Sequence, residues 1–372
     1  MSEIALDGLR ADNPLAFMAA LGALVTIDRR FRADGAVTMR WRPSRGTWRP
    51  CLGVPGEISA EDLTRLLFEQ LHRPTATSKA EERCASAKEA LKAAKERLKT
   101  DAKATKARKG TDAWLRLKEC ILDPAELELV AAQAALAQAQ EAGGSADRTT
   151  ALGDSLNKVT LADFALFLRK AAESARPDNR RDCDLAAGFG CELLPNEDGN
   201  LKPSRFSKQN GNSGKSMLRD MAILMLGTTE AQLGEALFGP WKYADKGRSL
   251  GWDPAEVRPY AYQASDPAND PATVHGANLL AYEALSLFPT APQESDLDTT
   301  GTQRIARRLY FSWPVWTPAV TLGVVRSLLA LPEIHRPGPS RGQLEPMGVT
   351  EVFRSEHFSF NKSARFRPAE AV

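Results

Sequence analysis

Val37-Thr38-Met39-Arg40-Trp41-Arg42-Pro43-Ser44-Arg45-Gly46-Thr47-Trp48-Arg49-Pro50-Cys51-Leu52 reads as a β-hairpin. Val37, Met39 and Trp41 alternate with Thr38, Arg40 and Arg42, so successive side chains fall on opposite faces of a strand. Pro43-Ser44-Arg45-Gly46 has turn chemistry, and Thr47–Leu52 is the returning strand. Trp41 then belongs to the core, while Arg40 and Arg42 share the opposite face. Helical patterns flank this hairpin. On one side Asn13 suits an N-cap, Pro14 suits the first helical position, and Leu15, Met18, Leu21 and Val25 recur at helical spacing. On the other side Ser59 and Asp62 form a capping box before an amphipathic stretch, Ala60–His72. A hairpin set between helices, after a short strand near Ile4–Leu9, makes the fold class mixed α+β.

The composition then changes. Residues 78–108 are dense in Ala, Lys and Glu and contain neither Gly nor Pro. Cys84, Ala87, Leu91, Ala94 and Leu98 fall at alternating steps of three and four, the spacing of a coiled-coil seam. Lys109-Gly110-Thr111-Asp112 breaks the pattern, Asp123-Pro124 restarts it, and Leu127, Val130, Ala134 and Ala137 carry an apolar stripe back. The expectation is an antiparallel helical hairpin over 78–150, inserted into a mixed α/β core formed by residues 1–77 and 151–372. Its first arm is basic, a pattern that most often marks a solvated face and that also suits phosphates.

Beyond the insertion, Thr160 and Asp163 cap a helix. Leu185–Leu194 reads as a buried strand, Leu201–Lys215 as a polar loop, and Met217–Leu226 as a buried helix with Arg219 and Asp220 outside. Ala272–Leu287 is helical, Thr290–Thr302 a surface loop, and Ile305–Trp313 a strand. Thr317-Pro318 opens a helix, and Glu351–Phe366 is a final strand or hairpin.

The 372 residues carry 49 basic and 47 acidic side chains, so any positive surface has to be local. No apolar run approaches the roughly 20 residues of a membrane helix. The opening residues lack the layout of a signal peptide, and five cysteines without paired spacing suit a reducing compartment. The expectation is a cytoplasmic protein with no membrane partner.

Two basic groups stand out. Arg40, Arg42, Arg45 and Arg49 crowd the first hairpin and its turn, where guanidinium groups pair phosphates bidentately. Lys202, Arg205, Lys208, Gln209, Asn210 and Lys215 lie on the polar loop that feeds the helix at Met217, and its amides suit base edges. Gly211-Asn212-Ser213-Gly214-Lys215-Ser216 resembles the end of a phosphate-binding P-loop. However, Gln209 stands where that motif needs Gly, and no buried strand precedes it. The four His are scattered and each Asp-Pro pair reads as a turn. The chain offers no catalytic constellation, metal set or cofactor motif, and is expected not to be an enzyme.

Three blocks carry a resemblance to a known family. Leu6-Asp7-Gly8-Leu9-Arg10-Ala11-Asp12-Asn13-Pro14-Leu15-Ala16-Phe17, continuing through Leu24, is one. Ser249-Leu250-Gly251-Trp252-Asp253-Pro254 is the second, and His275–Leu285 with Leu287-Phe288-Pro289 the third. Together they resemble proteins encoded with type I-G (formerly type I-U) CRISPR systems. Such families include the large subunit of the guide-RNA surveillance complex, Cascade. That subunit reads the short motif beside the target, helps open the duplex, and leaves cutting to a recruited helicase-nuclease. The resemblance implies a non-catalytic large or accessory subunit working in antiviral defence. Its partners would be other effector subunits, guide RNA, target DNA and the helicase-nuclease, and the helical insertion would make subunit contacts. It carries no site residue across.

Overall fold

The structure is a computed structural model that describes residues 2–44, 46–72, 76–141, 147–176, 179–207, 217–256, 272–294, 296–360 and 363–372. It is a mixed α+β fold. The chain opens with β1 (Ser2–Ala5), α1 (Pro14–Phe31), β2 (Thr38–Ser44), β3 (Thr47–Val54) and α2 (Ala60–Leu71). Next come α3 (Ala76–Ala104), α4 (Asp112–Ile121), α5 (Asp123–Glu141), α6 (Leu161–Ser174) and α7 (Arg181–Phe189). These are followed by β4 (Gly190–Pro195), β5 (Leu201–Pro203), α8 (Met217–Gly227), α9 (Glu230–Phe238), β6 (Asp245–Lys246), β7 (Ala272–Thr273) and α10 (His275–Ala284). The last third holds β8 (Thr290–Gln293), β9 (Asp296–Thr299), β10 (Thr302–Ile305), β11 (Arg308–Trp316), β12 (Val320–Thr321), α11 (Leu322–Leu329), β13 (Val349–Phe360), β14 (Ser363–Phe366) and β15 (Glu370–Ala371).

The chain divides into two compact units, Met1–His72 with Thr149–Val372, and Arg73–Arg148. In the larger unit one sheet has the order β1-β3-β2-β12 and a second has β10-β11-β13-β14, with β15 also on β13. Large aromatics join them. Phe17 of α1 stacks on Trp41 at 5.7 Å and on Trp313 at 5.4 Å. Trp41 meets Trp316 edge-on at 6.1 Å. The indole N–H of Trp313 donates to the Ala11 carbonyl and that of Trp316 to the Met39 carbonyl, each at 2.8 Å. These two buried indoles keep their polar edge satisfied in this way, whereas the buried Trp41 Nε1 has no acceptor among the described residues.

The three blocks quoted for the resemblance meet in this core. Asn13 donates its side-chain amide to Asp253 at 2.9 Å, and the Leu250 N–H donates to the Asn278 side chain at 3.2 Å. Helix α1 crosses α10 so closely that a Cβ on Gly22 would sit 1.8 Å from the Leu280 carbonyl oxygen. Buried between α1, α7 and α10, Glu283 accepts from Arg29 and Arg181. Burial alone would raise its pKa, but the two guanidinium charges and their hydrogen bonds hold it well below the usual carboxylate range.

Four expectations are corrected. Leu185–Leu194 is the second half of α7 followed by β4, because a short apolar run with Gly does not distinguish helix from strand. Thr290–Thr302 contains the β8-β9 hairpin rather than a plain loop. Asp220 is buried rather than outside, and it pairs with Arg248 at 3.1 Å. The helix placed at Thr317-Pro318 begins only at Leu322.

In the smaller unit α3 packs on α5 through Cys84, Ala87 and Ala132, with Leu129 and Leu136 against them. Arg83 and Glu128 pair across at 2.8 Å. The return stripe differs from its expected residues: Leu127 and Val130 are 70% and 62% exposed. The stripe that packs on α3 is instead offset to buried Ala132 and half-buried Leu129 and Leu136, at the same three- and four-residue spacing on a neighbouring face.

Candidate nucleic-acid interface

The first basic group sits on the outer face of β2 and β3, opposite buried Trp41. Arg40 grips Glu3 with two hydrogen bonds, at 2.6 and 2.9 Å. Hydrogen bonds from Arg40 lower the Glu3 pKa. Arg42 reaches Asp7 at 3.3 Å, while its buried Nε finds no acceptor among the described residues. Arg49 donates one Nη1 to two backbone carbonyls, Asp7 at 2.8 Å and Leu9 at 3.1 Å. Each of these three guanidinium groups has at least one acceptor, and together they pin β1 and the segment after it to the hairpin. Arg45 lies outside the described residues.

Arg49 also lines a cleft of about 720 Å³ with Arg10, Asn13, Trp241 and Tyr243. Behind it Asp253 is buried and accepts from Asn13, Tyr243 and the Ala255 N–H. Burial raises its pKa, against those three hydrogen bonds. Asp253 therefore fixes three segments of the cleft wall.

The second basic group is built differently. Lys202 on β5 and Arg205 just beyond it both pair with Asp296 at the start of β9, Lys202 at 3.1 Å. A third cation joins them: Arg304 of β10 approaches the same carboxylate at 3.6 Å. Partial burial works to raise the pKa of Asp296, but the Leu297 N–H, Lys202 and Arg205 bring it down to about 2. One carboxylate thus faces three cations. His357 of β13 lies beside it, its pKa pushed down to about 4 by burial and by the Arg205 charge. Lys208, Gln209, Asn210 and Lys215 lie outside the described residues.

Sequence reading missed Arg304, Arg307 and Arg308. Arg304 falls between the expected loop, Thr290–Thr302, and the expected strand, Ile305–Trp313, and Arg307 and Arg308 fall inside that strand, where the structure places a hairpin turn at Ala306-Arg307 instead. The basic run Arg304, Arg307, Arg308 was the available signal, since arginines spaced about a strand end in so short a stretch are a local charge concentration. Arg308 approaches Glu356 at 3.5 Å, a carboxylate it shares with Arg367 at 3.0 Å. Together these cations form a basic end to the second sheet.

The histidines stand apart. His72 stacks on Phe68, His275 approaches the Gly247 carbonyl, His335 the Leu329 carbonyl, and His357 meets Phe366 edge-on. Among the described residues no group of three or more His, Cys, Asp or Glu side chains is placed to hold a metal ion. No described helix is long and apolar enough to cross a membrane. No family model matches the chain, and no curated protein matches it.

Proposed function

We propose that this chain is a non-catalytic subunit of a type I CRISPR guide-RNA surveillance complex and contacts target DNA through the basic end of its second sheet. The observation that carries the reading is the sharing of Asp296 by Lys202, Arg205 and Arg304. Three cations converging on one carboxylate concentrate positive charge at this end of the molecule, and phosphate contacts supply most sequence-independent affinity for DNA. The resemblance carried by the blocks at Leu6–Leu24, Ser249–Pro254 and His275–Pro289 supplies the biological setting: antiviral defence, with guide RNA, other effector subunits and a helicase-nuclease as partners.

A second reading has its own observation. Leu127 and Val130 expose apolar surface one turn apart on α5, beside the basic arm α3. In that reading the smaller unit is an adaptor that recruits the helicase-nuclease or a neighbouring subunit.

One experiment tests both. The complex is assembled with the full chain, without it, and with residues 78–142 deleted, and target-duplex affinity and helicase-nuclease recruitment are measured. The first reading expects affinity to fall when the chain is omitted and to survive the deletion. If omission leaves duplex affinity unchanged, the DNA-contact reading is wrong. If the deletion leaves recruitment intact, the adaptor reading is wrong.

A further inference from the structure

The turn after α9 carries two aromatic residues, Trp241 and Tyr243, and both line the cleft of about 720 Å³. That volume suits a small flat ligand, whose pockets run from about 300 to 1,000 Å³. The two half-buried rings meet edge to face, with centroids 6.1 Å apart. Each is fixed by its polar atom. The Trp241 indole N–H donates to the Ala236 carbonyl at 3.0 Å, and the Tyr243 hydroxyl donates to Asp253 at 3.0 Å. Between them the Lys242 N–H donates to the Glu235 side chain at 2.9 Å. Tyr243 holds φ at +53°, in the left-handed region that a bulky side chain rarely enters. Such strain persists where the surroundings or a function hold it. The rings are thus in place on the cleft wall before any ligand arrives.

Among the described residues the charges of the lining balance, Arg10 and Arg49 against Asp7 and Asp12. The cleft therefore does not draw an anion by itself, and affinity within it has to come from the rings. A flat, uncharged ring with polar edges meets those terms. A nucleobase is such a ring: its face stacks on aromatic side chains, and the Arg10-Asp12 pair offers its edge donors and acceptors. In a duplex each base is already stacked and paired, so the cleft takes a base without a partner.

The surroundings supply the backbone. Trp252 and Phe366 line the small recess with Arg205, which pairs with Asp296, while Pro254 and Pro368 line the cleft. Two separate segments therefore lead from the recess to the cleft, each within two residues, or about 7 Å at full extension. A strand whose phosphates lie at Arg205 has the cleft within reach of a neighbouring base. A flat side chain of a protein partner stacks on the same rings but makes no use of that continuity.

We propose that the cleft seats one unpaired base of a nucleic-acid strand, stacked on Trp241 and Tyr243, while the strand's phosphates lie at the adjoining basic end of the second sheet. This rests on the proposed function, in which the chain contacts target DNA, and it adds a separate site for an unpaired base.

The test uses the full-length chain, a labelled single strand containing 5-iodouracil, the same strand with abasic residues throughout, and the matching duplex. Anisotropy reads affinity, and irradiation followed by peptide mass mapping reads which residue the iodinated base touches. Crosslinks are expected at Trp241 or Tyr243, and the abasic strand is expected to bind about tenfold more weakly than its parent. Trp241→Ala is expected to weaken single-strand binding about tenfold and to change duplex binding less than about twofold. Because Trp241 also bonds Ala236, a second variant leaves the wall intact. Ala255 is exposed and holds Asp253 through its backbone N–H, so Ala255→Glu keeps that bond and brings a carboxylate to the cleft. It is expected to weaken single-strand binding about fivefold with an unchanged melting temperature. Crosslinks confined to other residues, equal affinity for the abasic strand, or unchanged single-strand affinity in Ala255→Glu each overturn the proposal. So does a wild-type chain that binds duplex but no single strand, and in all four cases duplex binding keeps the DNA-contact reading standing. A wild-type chain that binds neither, alone or in the assembled complex, overturns the proposal and the reading beneath it.

Discussion

The two basic groups were indistinguishable as sequence, and they differ in how their charge is used. On the first hairpin Arg40 meets Glu3, Arg42 meets Asp7, and Arg49 meets two backbone carbonyls. At the basic end of the second sheet Lys202, Arg205 and Arg304 crowd one carboxylate. The ratio of cations to acceptors separates a structural clamp from a surface able to take an anion. Counting arginines in sequence does not reveal that ratio.

The largest expected effect breaks the comparison directly. Under the proposed function, Lys202→Ala with Arg205→Ala lowers target-duplex affinity on the order of tenfold at moderate salt, and reduces the salt slope by about 1.8 for two lost phosphates. Arg40→Ala with Arg42→Ala leaves both quantities within a factor of two. Binding isotherms for the two double variants, each checked for an intact melting transition, measure this. If the hairpin pair proves as costly as the Lys202 pair, the distinction drawn from acceptor ratios fails.

A middle effect concerns stability alone. Arg49 satisfies the Asp7 and Leu9 carbonyls with a single Nη1, so Arg49→Met strips both acceptors at once. The expected loss is about 1–3 kcal/mol in chemical denaturation, the usual penalty for polar groups left without a partner. DNA affinity stays unchanged. A variant that keeps its stability but loses affinity would move Arg49 from clamp to contact.

Much of the architecture could be read from the chain, because alternation and capping are local. Val37, Met39 and Trp41 announced β2, Asn13-Pro14 the start of α1, and Ser59 with Asp62 the start of α2. What was hidden depends on distance along the chain. Glu3 lies 37 residues from Arg40, and Asp296 lies 91 from Arg205, so no short window of sequence contains either of these two cations together with its acceptor. Hydrophobic period also stops short of orientation. Leu127 and Val130 have helical spacing, yet it is Leu129, Ala132 and Leu136 that face α3, since a helix with Ala and Leu around much of its circumference offers more than one stripe. For Leu185–Leu194, a run of mixed Ala, Gly and Leu carries neither period strongly.

The smallest effect is a titration, and it sharpens the comparison from the side of the second group. His357 faces Arg205 and Phe366 and shares a small recess with Arg365. Its folded-state pKa of about 4 lies below the ordinary imidazole value. The unfolded chain therefore takes up the proton first as pH falls, and stability decreases through the window from about 6.5 down to about 4. The upper bound is about 3 kcal/mol at 1.36 kcal/mol per unit. His335, lowered by its own burial, adds a loss of the same sign, so His357→Gln flattens the acid limb of the stability curve without abolishing it. Denaturant midpoints between pH 7 and 4 measure that limb. Because the Arg205 charge helps hold the His357 imidazole neutral, a phosphate seated on Arg205 offsets that charge and raises the His357 pKa. NMR titration of the imidazole with and without target duplex reads this shift. Arg40 and its neighbours have no histidine recorder, so a His357 pKa that rises with duplex in the wild type, and stays in place in Lys202→Ala with Arg205→Ala, assigns the phosphate to the second group alone.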